Sequence, residues 1–268
     1  MTARVAWRDA ALPLGLAGAA AVAMVAWGVS PGARYMQHGS TVGTSVGTGT
    51  GSGTHLHHLG HHPGALPSGP AVVAGLTATW LLMTVATMLP TATPLLAAVR
   101  QVAAGRSPRQ AAVGVIGGFL AVWTVFGLMV ATADLQLQRV VNPTAAPWVL
   151  AGTLALAGGY QLSGMAARCL RACRHPFGFL GRHWTGRPDV GRQGLAIGLA
   201  YGRSCLGCCA ALMVVMFALG LGNPAWMLVF AAIGAVQKQA SWGESLTRPV
   251  GIGMLVAAAT LMTTQAVA

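Results

Sequence analysis

The chain has 268 residues, of which 54% are hydrophobic and only 7% are charged, and its net charge is +12. So few charged side chains cannot cover a soluble domain of this length. The chain has only four acidic residues: Asp9, Asp134, Asp189 and Glu244. Catalysis by paired carboxylates is therefore nearly excluded, and the sequence contains no nucleotide-binding loop and no hydrolase triad. The composition predicts an all-α, polytopic membrane helix bundle and no enzyme.

Apolar stretches of about 20 residues recur, each long enough to cross a bilayer core of about 30 Å. They predict about seven transmembrane helices, at 10–30, 71–99, 111–133, 147–166, 194–220, 224–240 and 249–267. With the N-terminus in the cytoplasm, thirteen Arg and Lys residues fall inside, and Arg34 and Arg139 fall outside. This bias indicates a multi-pass protein of the bacterial inner (cytoplasmic) membrane. The lipid bilayer then explains the basic charge, and we expect no nucleic acid.

Three parts follow from this pattern. Residues 1–30 form an N-terminal transmembrane helix, with a cleaved signal peptide as the alternative. Residues 31–70 form a flexible extracytoplasmic loop, rich first in Gly, Ser and Thr and then in His. Residues 71–268 form a six-helix membrane domain that carries the cysteine motifs, with a basic cytoplasmic loop at 166–193.

The sharpest chemical signal is a group of three cysteines in the fifth predicted span. Cys205, Cys208 and Cys209 are three and four residues apart, so two or three sulfurs can meet one metal ion. Crowded thiols in a dry site suit Cu(I), or Zn(II), better than hard cations, and Met213 and Met216 are candidate axial ligands. The alternative is that cysteine serves here as a small apolar packing residue.

The same helix carries Gly194, Gly198 and Gly202 at four-residue spacing. Small residues at this spacing let another helix approach closely in lipid. We expect the sulfur-bearing face to point at that same neighbour. Arg203, between the glycines and the cysteines, is expected to extend its side chain to the cytoplasmic surface. The alternative is that it lies in the membrane and pairs with carbonyls freed near Pro90 or with a thiolate of Cys205.

Cys169 and Cys173 form a second cysteine pair, with ordinary packing as the alternative. The stretch 166–174 is expected to continue the fourth helix until Pro176 stops it. Cys205 should lie roughly 9–18 Å along the fifth helix from the cytoplasmic surface, at about 1.5 Å per residue. We therefore expect two separate stations of a relay, and not a single four-thiol cage.

Met83 and Met88 flank a kink predicted at Pro90, which cannot donate to the carbonyl of Ala86. Thioethers bind Cu(I) without losing a proton, so both methionines are candidate accessory ligands, with core filling as the alternative. The outside loop adds five histidines that could collect divalent metal, with a merely solvated loop as the alternative: His55, His57, His58, His61 and His62.

Five different short motifs are distributed over residues 75–262. They are 80–90 with Pro94, 119–123 with Phe126-Gly127, 157–162, 169–174 with Pro176, and 202–209 with Leu212-Met213. Together they resemble a family of bacterial integral membrane proteins described as predicted metal-binding and long catalogued as a domain of unknown function. The chain is similar to a divergent member, because Thr87, Tyr201 and Gln237 stand where the family has Met, His and Glu. The resemblance implies metal binding and no particular reaction.

The leading hypothesis is a membrane protein that handles a soft metal, most simply copper(I), with zinc as a possible alternative. Its role would be transport, storage or delivery to a membrane metalloenzyme or metallochaperone. The first competing hypothesis is an intramembrane thiol–disulfide relay, because Cys205 and Cys208 have redox spacing. The second is a non-catalytic subunit or assembly factor that docks through the glycine face.

Overall fold

A computed structural model describes residues 18, 19, 22, 70–186, 188–219 and 224–267. Most of segment 1–30, and the loop with its five histidines, lie outside these residues. From residue 70 onward the described segments contain no strand, and their helices are α1 Pro70–Thr87, α2 Thr93–Val102, α3 Pro108–Val140, α4 Ala146–Gln161, α5 Gly164–Arg174, α6 Pro176–His183, α7 Val190–Ala218, α8 Pro224–Gln239 and α9 Thr247–Val267. The all-α prediction is confirmed for this part.

Three helical stretches in the described part are long and apolar enough to cross a membrane: Pro108–Leu137 of α3, α7 and α9. A fourth candidate is the pair of α1 and α2, which bends by 45° between Met88 and Pro90, where the sequence predicts a kink. The other predicted spans in this part correspond to shorter helices, since α4 and α8 have 16 residues each. The full set of seven spans is therefore not established by these helices.

The bend after α1 is stabilised by hydroxyl groups. A 3₁₀ turn, Pro90–Ala92, separates α1 from α2. Proline has no N–H to continue the helical ladder. Thr91 Oγ1 donates to the carbonyl of Met88 at 2.7 Å, and Thr87 Oγ1 donates to that of Met83 at 2.8 Å. The turn therefore holds Met88 and Thr91 at a fixed position in the interior, where both are buried.

α3 and α7 pack closely because glycines on both helices remove side chains from the interface. A Cβ atom on Gly194 or Gly198 of α7 would collide with a backbone oxygen of α3, and one on Gly118 of α3 would collide with Leu195 of α7. Gly202 faces α3 as well, since its Cβ would lie 3.1 Å from the side chain of Val122. All three predicted packing glycines of α7 thus lie against α3.

The segment after α4 differs from the prediction. α4 ends at Gln161, and Ser163 adopts an extended backbone (φ −73°, ψ 149°) and caps a new helix, with its Oγ accepting from the N–H of Ala166 at 3.2 Å. The predicted continuation of one helix through Arg174 is therefore wrong. Pro176 follows as the first residue of α6. The stretch predicted as a basic loop instead consists largely of α5, α6 and the start of α7.

Candidate metal centre

Lys238, near the end of α8, is a buried cation surrounded by soft and polar atoms. Only 6% of the residue is exposed. Its Nζ lies 3.1 Å from Cys205 Sγ, 3.1 Å from Thr91 Oγ1 and 3.6 Å from Met88 Sδ. Among the described residues no carboxylate pairs with it. A buried ammonium without a counter-ion costs several kcal/mol. The thiol of Cys205 is the neighbouring group that can supply the compensating negative charge.

Four buried cysteines, Cys205, Cys208 and Cys209 of α7 and Cys173 of α5, form one group that we call the thiol cluster. Cys208 Sγ lies 3.4 Å from Cys209 Sγ and 3.8 Å from Cys173 Sγ. Cys205 interacts with the thiols of the other three. The expectation of two separate stations is therefore wrong for Cys173. Because α5 restarts after Ser163 and packs back against α7, Cys173 is brought into contact with the α7 cysteines.

The cysteines and the glycines of α7 do not face the same neighbour, contrary to the prediction. The glycines lie against α3, whereas the polar contacts of the cysteines reach Cys173 of α5 and Lys238 of α8. A three-residue step leaves successive side chains about 60° apart around a helix, so the contact face turns between Gly202, Cys205 and Cys208. The sulfur atoms therefore meet different helices from the glycines.

Two side chains hold the end of α5 in place. Tyr201 of α7 donates from its hydroxyl to the carbonyl of Cys173 at 3.4 Å. Arg174 donates to the carbonyl of Gln237 at 2.6 Å and to that of Ser241 at 3.0 Å. These carbonyls belong to the C-terminal end of α8 and the turn after it, where backbone acceptors lack helical partners. Arg174 therefore fixes the position of its neighbour Cys173 relative to the helix that carries Lys238.

Cys169, one helical turn before Cys173, is only half-buried, unlike the four cysteines of the thiol cluster. Its Sγ occupies the space beside Gly207, where a Cβ atom would collide with it. Tyr160 of α4 donates to the carbonyl of Gly207 at 2.7 Å and closes the same contact. Cys169 therefore lies between the thiol cluster and the surface.

The spacing of the sulfur atoms allows two of them to bind one metal ion. Metal–thiolate bonds are about 2.3 Å long, so two sulfurs on one ion lie at most about 4.6 Å apart. Both contacts of Cys208 satisfy this limit. No three His, Cys, Asp or Glu side chains of the described residues are arranged to hold one ion together. Structural zinc sites take four ligands, and the described residues do not provide such a set, so nothing described supports zinc.

Most of the chain, including the thiol cluster and Lys238, matches a known protein family. A family model described as PpoB2, a copper chaperone, matches residues 77–261, a range that includes the whole thiol cluster and Lys238. The chain belongs to this copper chaperone family. The predicted metal-related family is confirmed at that level, and a copper-related function is shown in general. No curated protein and no solved structure matches the chain.

The remaining predicted ligands of this copper chaperone family member are methionines and histidines. Of the methionines in the described residues, Met88 contacts Lys238, while Met83, Met213 and Met216 lie in the apolar core. Met213 and Met216 follow Cys209 by four and seven residues along α7. The five histidines lie outside the described residues, and a collecting role for them stays a prediction.

Sequence reasoning missed Lys238 as part of the centre, because it assigned this residue to the cytoplasmic side. Thr91, Tyr160 and Tyr201 were also missed. A usable signal existed for Lys238: it is the one charged residue of α8, set between two glutamines in an otherwise apolar helix. A charge in such a helix is a functional candidate by default. No comparable signal marks the tyrosines or the threonine, whose contacts depend on the packing of helices.

Proposed function

We propose that this chain is a membrane-embedded copper(I) chaperone, which holds Cu(I) in the thiol cluster and passes it to a metalloprotein partner. The observation that carries the proposal is the contact between Lys238 Nζ and Cys205 Sγ at 3.1 Å. It places the ammonium of Lys238 against a group of soft ligands in the buried interior. Membership in the copper chaperone family supports the same assignment.

Charge balance explains why such a site suits Cu(I). One Cu(I) bound by two thiolates carries a net charge of −1, and the ammonium of Lys238 brings the assembly to zero. Neutral assemblies are favoured in an apolar interior, where an uncompensated charge is costly. A divalent ion on the same two thiolates would leave the assembly at +1. With two of the thiols ionised, the site therefore favours a monovalent soft cation.

The arrangement also suits transient binding, as a chaperone requires. Cys208 has two sulfur neighbours within 3.8 Å, so an ion held by one pair can exchange to another by small movements. Met88 adds a thioether that binds Cu(I) without a proton to lose. Ligand exchange among sulfurs changes no oxidation state. Copper can therefore move through the cluster by forming one Cu–S bond as another breaks.

A location in the bacterial inner membrane is part of the proposal. Three helical stretches of the described part, or four with the bent pair, are long and apolar enough to span a bilayer. The inside bias of Arg and Lys favours a cytoplasmic N-terminus. Selective labelling of engineered surface cysteines from each side of intact cells and spheroplasts, in a background with the native cysteines replaced, tests this topology.

Elemental analysis of the untagged, detergent-purified protein tests copper binding. After anaerobic loading with Cu(I), we expect near-stoichiometric copper in the wild type and a large loss in the Cys173→Ser/Cys208→Ser double variant. Cys169→Ser is the matched control, because Cys169 lies outside the thiol cluster, and it should keep its copper. Equal copper in the wild type and in a folded double variant would contradict the assignment.

A thiol–disulfide relay is a second candidate, favoured by the 3.8 Å separation of Cys173 Sγ and Cys208 Sγ. All five cysteines are free thiols in the structure. A relay requires one pair to cycle between dithiol and disulfide during function. Alkylation of the protein trapped from growing cells, followed by mass analysis, distinguishes the two candidates, because a chaperone keeps its cluster reduced throughout.

A further inference from the structure

A surface cavity of about 410 Å³ is lined by groups that the copper site does not use, together with Ala172 and Ser204, the sequence neighbours of Cys173 and Cys205. α5 contributes Cys169, α6 contributes Arg182 and His183, and α7 contributes Arg203 and Ser204. These residues include a thiol, an imidazole, a hydroxyl and two guanidinium groups. The cavity therefore combines copper ligands with positive charge at the surface.

The two arginines give this cavity positive charge. Arg182 and Arg203 are both exposed. Within the described part of the chain, no carboxylate pairs with either of them. Guanidinium groups bind carboxylates and phosphates through directed pairs of hydrogen bonds. Arg203 thus lines a cavity shared with Arg182, a placement that the sequence did not suggest.

His183 lines the cavity with a ring that is held in place. Its ring stacks on Phe179 at 4.2 Å, and its Nδ1 lies 2.9 Å from the carbonyl oxygen of Phe179. Because a carbonyl oxygen only accepts, Nδ1 carries a hydrogen, and in the neutral ring Nε2 keeps its lone pair. Neutral imidazole nitrogen is a good copper ligand. The stacking and the hydrogen bond hold the ring in a defined orientation.

We propose that this cavity is the docking port for an anionic copper(I)–thiolate complex, from which Cys169 takes the ion. The inference rests on the proposed chaperone function and assigns its copper source by chemical class: a small thiol that carries carboxylates. Arg182 and Arg203 bind the carboxylates, and the copper lies toward Cys169 and His183. The Cu–S bond to the carrier breaks as a Cu–S bond to Cys169 forms, the proton of Cys169 passes to the carrier thiolate, and copper stays Cu(I).

The sulfur atoms beyond Cys169 provide a route inward. Cys169 and Cys173 are four residues apart on α5, a spacing that places Cβ atoms about 5–6 Å apart. Cys173 Sγ then lies 3.8 Å from Cys208 Sγ in the thiol cluster. An ion received at the cavity can therefore pass from sulfur to sulfur into the buried site. This route gives Cys169 a function distinct from that of the four clustered cysteines.

The test measures initial rates of copper transfer from two donors of different charge. The anionic donor is Cu(I)–glutathione, and the cationic donor is the Cu(I) complex of cysteamine. For Arg182→Gln/Arg203→Gln we expect the rate from glutathione to fall about tenfold or more, the low end of electrostatic steering effects. The rate from cysteamine should not fall, and the final copper content should be unchanged. Arg248→Gln, which removes an exposed arginine outside the cavity, is the control.

A second variant separates the thiol from the charge. Cys169→Ser should slow transfer from both donors while leaving the final copper content intact. An unchanged glutathione rate in the double arginine variant, or an equal slowing with both donors, would overturn the port. A wild-type protein that binds no copper even from chelator-buffered Cu(I) would instead overturn the chaperone function itself.

A lipid headgroup is the competing anion for this cavity. The same transfer rates are measured in nanodiscs of phosphatidylcholine with and without phosphatidylglycerol. Equal glutathione rates in the two lipids support the port. Suppression by phosphatidylglycerol that disappears in the Arg182→Gln/Arg203→Gln variant would assign the cavity to lipid and overturn the proposal.

Discussion

Lys238 Nζ and Cys205 Sγ lie 3.1 Å apart in the interior of the protein, and this contact joins α8 to α7. The same ammonium reaches Thr91 and Met88 in the bend after α1, so one cation connects three parts of the chain. With no carboxylate against Lys238 among the described residues, the charge of the site depends on its thiols.

Removing the charge of Lys238 should weaken copper binding. Hydrogen bonds to charged groups contribute about 1.5–3 kcal/mol, so we expect Lys238→Gln to raise the Kd for Cu(I) by about ten- to a hundredfold. Competition with a chromophoric Cu(I) chelator measures this change. Lys238→Arg keeps the charge and should recover part of the affinity. An unchanged Kd in a folded Lys238→Gln variant would show that the ammonium has no part in holding the ion.

The hydrogen bonds of Arg174 that join α5 to α8 should contribute more to stability and to copper binding than the neighbouring salt bridge between Arg171 and Glu244. Arg174 donates two charge-assisted hydrogen bonds to α8 and the following turn, so Arg174→Gln should lower the melting temperature and weaken Cu(I) binding. Arg171→Gln is the matched control, because Arg171 pairs with Glu244 at 3.0 Å but both side chains are about half exposed. Such pairs contribute only about 0–1 kcal/mol. Similar losses in the two variants would contradict the positioning role of Arg174.

Replacing glycine by alanine should have opposite effects on stability inside and outside the interface between α3 and α7. Gly198→Ala would press a methyl group into the carbonyl of Val115, and overpacking of this kind costs about 1–3 kcal/mol. Gly117→Ala meets no atom within 4 Å and should be neutral or stabilising by up to about 1 kcal/mol, because alanine favours helix. Thermal unfolding in detergent compares the two. Equal melting temperatures of the two variants would contradict the close packing of α3 against α7 at Gly198.

Oxidation should link α5 to α7 only when copper is absent. Cys173 Sγ and Cys208 Sγ are 3.8 Å apart, so these two thiols are the pair from α5 and α7 that oxidation should join. Peptide mapping after diamide treatment should find this crosslink in the copper-free protein and a free thiol at Cys169. Copper loaded beforehand should block the crosslink, because its ligands are the same sulfurs. A crosslink formed equally with and without copper would exclude Cys173 and Cys208 as ligands.

The features that sequence predicted correctly in the described part depend on neighbouring residues. Helical periodicity places Cys205, Cys208 and Cys209 close together, and proline at 90 breaks the ladder between α1 and α2. The glycines at four-residue spacing mark a packing face for the same reason. Each of these signals acts within one or two helical turns, so the linear order of residues is sufficient to read it.

The tertiary structure decided which residues surround those cysteines. Ser163 caps a new helix in place of a continuation of α4, and the packing of that helix brings Cys173 into the cluster that sequence had separated from it. Lys238 reaches Cys205 across 33 positions and Met88 across 150. No local pattern encodes such distances, because they depend on how several helices fit together. The sequence by itself determined a helical protein with a soft-ligand motif, and the packing of the helices determined that a buried cation and a fourth thiol complete it.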